Sequence, residues 1–448
     1  MTAQEAIALI DHLLHANNQQ KLTDFQSFVF LGTWEGHSYQ EIADRLADRL
    51  LYYELDYMKH IGSHLWRTLS QILGEKVSKH NLQAVLRRYQ HRSAPNNCIQ
   101  DWGEASDVSH FYNRLQELET LETWISGNST RAIGIFGLGG IGKTSLSVKF
   151  AQQIQSQFEF AIWRSLQQAP TLDVILSDIL PILTNSSAAT NNSIPALMEQ
   201  LRQKRCLLIF DNLESILQGG NRGGQYQQGY EDYRQLFTRI ADEPHQSCLI
   251  LTGREQPGGF AARSGEHLPV RSLKLFGLSP PVCQQILADK GLKATLLQSR
   301  DIVNYFGGNP LAIKLAATTI QTLFGGDIQA FLLQGNTVFS DLWDLLDRQF
   351  DRLSPLQQQI MYWIAINQEG ATPAKLKAEI LPEVSGRQLM EALEALAERS
   401  LIFDERSLNY TASTSLMLQP AIAEYVRERL LERNCRSSNI EFLINARN

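Results

Sequence analysis

Apolar positions divide the chain into three stretches. In residues 1–92 they recur every three or four positions: Ile7, Ile10, Leu13 and Leu14, then Phe25, Phe28, Val29 and Leu31, then Ile61, Leu65, Leu69 and Ile72. That spacing puts each set on one face of a helix. The stretch Ser38 to Glu41, SYQE, is a capping box. Its serine hydroxyl accepts from a first-turn N–H while the glutamate reaches back to the start. Short helices in this order predict a helix-turn-helix module. Residues 93–108 are turn formers and polar residues, which predicts a linker. Beyond them, short apolar runs alternate with helical patterns: AIGIF (132–136), FEFAIWRSL (158–166), CLLIF (206–210) and CLILT (248–252). Such runs predict a parallel sheet covered by helices on both faces. From about residue 275 the pattern is again mostly helical. The insert QGGNRGGQYQQGYEDY (218–233) is rich in glycine and glutamine and predicts a mobile surface loop.

Length and composition narrow this picture. At roughly 150 residues per domain, 448 residues make about three domains. The chain is 43% hydrophobic and 20% charged, an ordinary globular composition. Lys and Arg number 41 against 47 Asp and Glu, a formal charge of -6. A nucleic-acid coat along the whole length is disfavoured, and a local basic patch is not. No apolar run approaches the ~18–20 residues of a membrane span. The first residues lack the basic start of a secretory signal and carry Glu5 and Asp11. These readings predict a cytoplasmic protein without a membrane partner. The five cysteines, Cys98, Cys206, Cys248, Cys283 and Cys435, are odd in number and form no CxxC pair. They predict inert thiols in a reducing cytosol rather than disulfides or a zinc site.

The chemistry concentrates in GLGGIGKT, Gly137 to Thr144, which matches GxxxxGK[ST] throughout. Gly137, Gly139, Gly140 and Gly142 free the backbone and remove side chains from the path of a phosphate. The N–H groups running through Ile141, Lys143, Thr144 and Ser145 form an anion cradle at a helix N-terminus. Lys143 reaches the β- and γ-phosphates, and the Thr144 hydroxyl ligates Mg2+. The strand CLLIFDN ends on Asp211, placed to hold Mg2+ through water. Glu214 either orients and deprotonates an attacking water or is a solvated carboxylate in a first helical turn. In LILTGRE, Arg254 either senses the γ-phosphate or is a plain surface arginine. Lys143, Asp211, Glu214 and Arg254 are therefore the catalytic candidates, with Thr144 and Asp211 for the metal.

With these residues in hand, residues 105–435 resemble the NB-ARC proteins, the nucleotide-binding core of the STAND class of signalling ATPases. FYNRLQELETLE (111–122) is similar to the family's entry motif, in which the backbone near Arg114 frames the adenine. Asn113 stands where the family usually has glycine. GGNPLA (307–312) resembles the element whose proline, here Pro310, packs against the adenine. Pro310 is also a natural first residue of a helix, and both readings hold together. Residues 350–430 resemble the family's winged helix. Many members carry a histidine there that contacts the ADP β-phosphate; this chain has Gln419, between Leu418 and Pro420. A neutral donor makes a bond weaker by roughly twofold than a charged one, so the resting state is either weaker or held by other groups. LQP at this place, and the first 92 residues, resemble bacterial members with WD-repeat tails.

The resemblance implies a multidomain α and α/β protein. Its parts are an N-terminal helix-turn-helix module (1–92), a linker (93–108), a P-loop NTPase domain (109–270), a small helical domain (271–345), a winged helix (346–435) and a tail (436–448). It implies an ADP/ATP switch with Mg2+, slow hydrolysis and homo-oligomer assembly in the ATP state. A WD propeller needs ~40–45 residues per blade, so the expectation is either a truncated or split relative or a chain whose sensor or effector is a protein acting in trans. A competing reading is a DNA-binding regulator. Lys59, Arg67, Lys76, Lys79, Arg87, Arg88 and Arg92 face the single acid Glu75 across 59–92. A motor or metabolic kinase is disfavoured, because no Asp/His pairing for a small acceptor stands out.

Overall fold

The computed structural model describes residues 22–47, 55–73, 76–86, 98–126, 130–185, 192–220, 223–334, 340–367, 371–380, 383–404 and 415–445, with isolated positions before residue 22. The chain forms two compact units, Met1–Asn97 and Cys98–Asn448.

The first unit is helical: α1 (Asp24–Trp34), α2 (Tyr39–Ala47) and α3 (Leu55–Leu73). The Ser38 box is formed, with Ser38 N–H donating to Glu41 at 2.6 Å and Glu41 N–H to the Ser38 hydroxyl at 3.2 Å. A second box, Thr23 with Gln26, starts α1. Leu65 and Leu69 are buried beside Phe30, Leu82 and Val85, as the helical spacing requires. Exposed Arg67 and Lys76 belong to the basic stretch, while Lys79 lies 4.9 Å over the Tyr39 ring. Leu13, Glu75, Arg87, Arg88 and Arg92 lie outside the described residues.

The second unit is built on strands β1 (Ile99–Asp101), β2 (Ala132–Phe136), β3 (Phe160–Ser165), β4 (Cys206–Asp211), β5 (Cys248–Gly253) and β6 (Val270–Lys274). All pair in parallel, in the order β1-β3-β4-β5-β2-β6. Successive side chains leave opposite faces of a strand, and the two cores follow that alternation. Ile133, Ile135, Leu207 and Ile209 enter one core; Phe136, Leu208 and Phe210 enter the other. Helices α4 (Leu115–Ser126), α5 (Lys143–Ile154), α6 (Leu172–Thr184), α7 (Ile194–Gln203), α8 (Glu231–Asp242) and the short α9 (Phe260–Arg263) accompany the sheet. Strand β5 separates β2, which feeds the glycine loop, from β4, which ends on Asp211. Both chemical elements thus leave the same, carboxyl-terminal edge.

A helical set follows: α10 (Pro280–Asp289), α11 (Leu296–Phe306), α12 (Pro310–Leu323) and α13 (Ile328–Gln334). Next come α14 (Ser340–Phe350), α15 (Pro355–Ile366), α16 (Pro373–Glu379), α17 (Gly386–Glu398), the antiparallel pair β7 (Phe403–Asp404) and β8 (Leu416–Met417), and α18 (Pro420–Asn445).

Three sequence expectations need correction. Residues 93–108 are not a linker throughout, because Ile99–Asp101 is the edge strand β1, in register with Phe160–Ile162. The sheet runs past the expected domain boundary at residue 270, since β6 extends to Lys274. The insert 218–233 is not free over its described residues. Gly220 N–H donates to the Arg352 carbonyl at 2.9 Å, Gln218 N–H to the Gln225 carbonyl at 2.7 Å, and Tyr226 is buried. Residues 231–233 already belong to α8.

Candidate nucleotide site

The glycine loop joins β2 to α5. Gly140 and Gly142 have φ of 78° and 98°, a region that side chains with a Cβ avoid. Gly142 is the N-cap of α5 and offers no side chain to its first turn. The orphan N–H groups of that turn are therefore available to an anion. Lys143 is buried, and its ammonium donates to the carbonyls of Gly137 at 3.0 Å and Leu138 at 2.9 Å. Burial pulls its pKa down to about 8; Glu214 opposes this, Arg254 adds to it, and Asp211 opposes it.

Asp211 is 1% exposed. Burial raises its pKa, against hydrogen bonds from Thr252 and Thr144. The Thr144 hydroxyl donates to it at 2.9 and 3.0 Å, Asn212 Nδ2 at 3.0 Å, and Thr252 through its hydroxyl. A hydroxyl beside a carboxylate is a hard oxygen donor set, suited to Mg2+. The loop's positive-φ glycines and buried ammonium fit a phosphate chain in the same way.

Neither Glu214 nor Arg254 stands free at the surface. Glu214 lies in a 3-10 turn, Leu213–Ser215, rather than an α-helix. Its carboxylate accepts from Arg254 Nε at 2.9 Å and from Arg254 N–H at 3.2 Å. The pair is largely buried, at 12% and 22% exposure.

Arg114 donates to the Ile141 carbonyl at 3.0 Å and pairs with Glu117 at 2.7 Å. Asn113 and Arg114 take φ of 52° and 72°. Asn visits this region more readily than most residues, so the turn forms without the family's glycine. On the far side, Pro310 opens α12 and also lines the cavity. Asn309 caps α12 and donates from Nδ2 to the Gly139 carbonyl at 2.8 Å. Leu311 N–H donates to the Gly140 carbonyl at 3.3 Å.

Together these elements enclose a cavity of about 330 Å³ lined by Arg114, Gly139 to Ser145, Glu214, Arg254 and Pro310. Gly137 lies behind it, holding Lys143. Gln419 is not brought to this wall. Its amide packs on Gly307 at the end of α11, because the turn between β8 and α18 ends there. Sequence reasoning missed Tyr112, Thr252, Asn309 and Lys314. Tyr112 donates to Asp289 at 2.6 Å and carries the Lys314 ammonium 5.3 Å from its ring centre. Burial and Asp289 push its hydroxyl up to about 12. Asn309 had a signal, an asparagine before a helix-starting proline; Tyr112 and Thr252 lie inside the runs FYNRLQ and LILTGRE without an assigned role, and Lys314 had no signal.

Sheet, loop and acid define a P-loop nucleotide-binding domain. Residues 114–216 match the NB-ARC domain, and residues 1–89 match the vWA-MoxR associated protein N-terminal HTH. The first match falls on the glycine loop and Asp211, and the second on the helical first unit. It is 44% identical over 352 residues to an uncharacterized WD repeat-containing protein of Nostoc, covering 75% of this chain and 27% of that protein. It is 24% identical over 215 residues to the disease resistance protein RRS1 of Arabidopsis thaliana, covering 46% and 15%. The chain thus spans 27% or less of the length of these relatives. Among solved structures, a Walker-type ATPase of Pyrococcus abyssi covers 73% of this chain and 99% of its own at 14% identity and TM-score 0.49. A STAND protein with a tetratricopeptide repeat sensor from Pyrococcus horikoshii covers 78% and 47% at 16% identity and TM-score 0.38. Among the described residues, no helix is long and apolar enough to cross a membrane.

Proposed function

We propose that the second unit is a nucleotide-controlled switch of the STAND class, closed with ADP and open, assembling and slowly hydrolytic with ATP. The observation that carries this reading is the double grip on the loop. Asn309 and Leu311, from the helical set, hold the carbonyls of Gly139 and Gly140. A ligand in the cavity therefore bears on contacts between the sheet and the helices. Only such a difference in contact lets a ligand shift a conformational equilibrium.

The residues divide the work. The α5 N-terminus and Lys143 bind phosphate, and Arg114 and Pro310 frame the base. Thr144 and Asp211 would hold Mg2+, whose chemistry is to neutralise phosphate charge. Arg254 meets added charge at the cavity's lip. Glu214 orients water, but both of its oxygens are engaged by Arg254. A base so engaged takes a proton poorly, which supports slow hydrolysis. We read α14 to α18 with β7 and β8 as the winged helix that moves with the switch. The WD repeats in the Nostoc relative's name suggest a repeat sensor as the partner in signalling.

The test is the nucleotide carried by purified protein, with its size measured in ADP and in a non-hydrolysable ATP analogue. Bound ADP and a larger species only with the analogue are expected. A protein free of nucleotide and of unchanged size in both would overturn the reading.

A further inference from the structure

The nucleotide cavity shares part of its wall with a second, much smaller space. Gly139 and Arg254 line both. The remaining walls of the small space include Glu255, Gln349, Arg352 and Arg399, and its volume is about 10 Å³. A space that small admits no phosphate group while these side chains stay in place. The side chain against the loop is Gln349, from the last turn of α14. A Cβ placed on Gly139 would stand 2.7 Å from Gln349 Nε2 and 3.4 Å from Arg254 Cζ. Gln349 is 7% exposed.

The groups that keep it there are explicit. Glu255, 1% exposed, follows Arg254 in the chain. Its carboxylate accepts from Arg399 Nε at 2.7 Å and from Arg352 Nη2 at 3.0 Å. Arg352 also donates to the Leu217 carbonyl at 3.2 Å, and Arg399 to Gln357 Oε1 at 3.1 Å. These contacts fix the end of α14 and the start of α15 against β5. The helices are held where Gln349 covers Gly139.

We propose that Gln349 sets a preference for nucleoside diphosphates over triphosphates in this conformation, because its amide fills the space beside Gly139 that a third phosphate needs. The proposal rests on the nucleotide reading above. A phosphate chain anchored at α5 and Lys143 extends toward the next cation on the wall, Arg254, and Gly139 is the loop residue beside Arg254. A third phosphate entering there displaces Gln349. It then competes with Glu255 for Arg352 and Arg399, which loosens the hold on α14. Gln349 is a specificity-setting residue, acting by occupancy rather than by charge.

The test is calorimetric binding of ADP·Mg2+ and of AMP-PNP·Mg2+ to the full chain and to Q349A and Q349L. In the wild type ADP binds more tightly. Q349A is expected to raise AMP-PNP affinity by about tenfold and to change ADP affinity by less than about twofold. Q349L keeps the bulk and is expected to keep the wild-type ratio. An unchanged ratio in Q349A, or an equal loss for both nucleotides, would overturn the proposal. ADP binding by Q349A reports its folding. If that variant fails to fold, Q349N, shorter by one methylene, must move the ratio the same way by a smaller factor, and no movement overturns the proposal. A wild type that binds neither nucleotide removes the nucleotide reading itself, a distinguishable outcome.

Discussion

Lys143 holds a charge where burial disfavours one. Its ammonium sits on the Gly137 and Leu138 carbonyls, and burial draws its pKa from 10.5 to about 8. Between those values the unfolded chain binds more protons than the folded one. The ligand-free protein therefore gains stability as pH rises from about 8 to 10.5, and bears the full penalty below about 8. A phosphate acts oppositely, since it favours the charged lysine. ADP binding above about pH 8 should then take up a proton, and affinity should fall as pH rises through that range. Calorimetry at such a pH in two buffers of different ionisation enthalpy reads the proton directly. Proton release, or none, would contradict this account of Lys143.

The decisive element is the end of β5. Over four consecutive residues it meets Asp211, Glu214, β2 and the C-terminal helices. Thr252 bonds Asp211 on β4, Arg254 pairs with Glu214, and Glu255 receives Arg352 and Arg399 from the C-terminal helices. Gly253, between them, pairs with Phe136 of β2 just before the glycine loop. Charge added at Arg254 has one backbone step to travel to the hold on α14 and α17. Removing Glu255 leaves a buried arginine without its carboxylate, a change that costs about 3–5 kcal/mol where both partners are fully buried. Arg352 is 26% exposed and softens that loss. Glu255→Ala is expected to lower the melting temperature and to speed hydrogen exchange in 340–366 and 386–398, while the β2–β5 core keeps its protection. Exchange unchanged in those helices would show that Glu255 holds nothing.

Across the whole molecule, legibility follows the locality of the physics. The phosphate loop is one contiguous run, and its reading needed only the strand before it and the helix after it. Asp211 was legible as an acid ending an apolar strand. What escaped depends on residues far apart in sequence. Asn309 reaches Gly139 across 170 positions, and Arg399 reaches Glu255 across 144. Strand β1 was missed because three residues among turn formers carry no apolar run, and β6 because VRSLK is half polar. The glycine-rich insert reads as a mobile surface loop because composition is silent about the Arg352 carbonyl that receives it. Gln419 was placed by resemblance to a histidine, but packing on Gly307 decides where its amide goes.

The central claim is that this cavity binds adenine nucleotide through the loop. Equilibrium binding of ADP·Mg2+ to the wild type and to Lys143→Ala tests it most directly. A charged hydrogen bond is worth about 1.5–3 kcal/mol, so the account predicts that the alanine variant binds at least about tenfold more weakly. A folded Lys143→Ala chain that binds ADP as tightly as the wild type would contradict it.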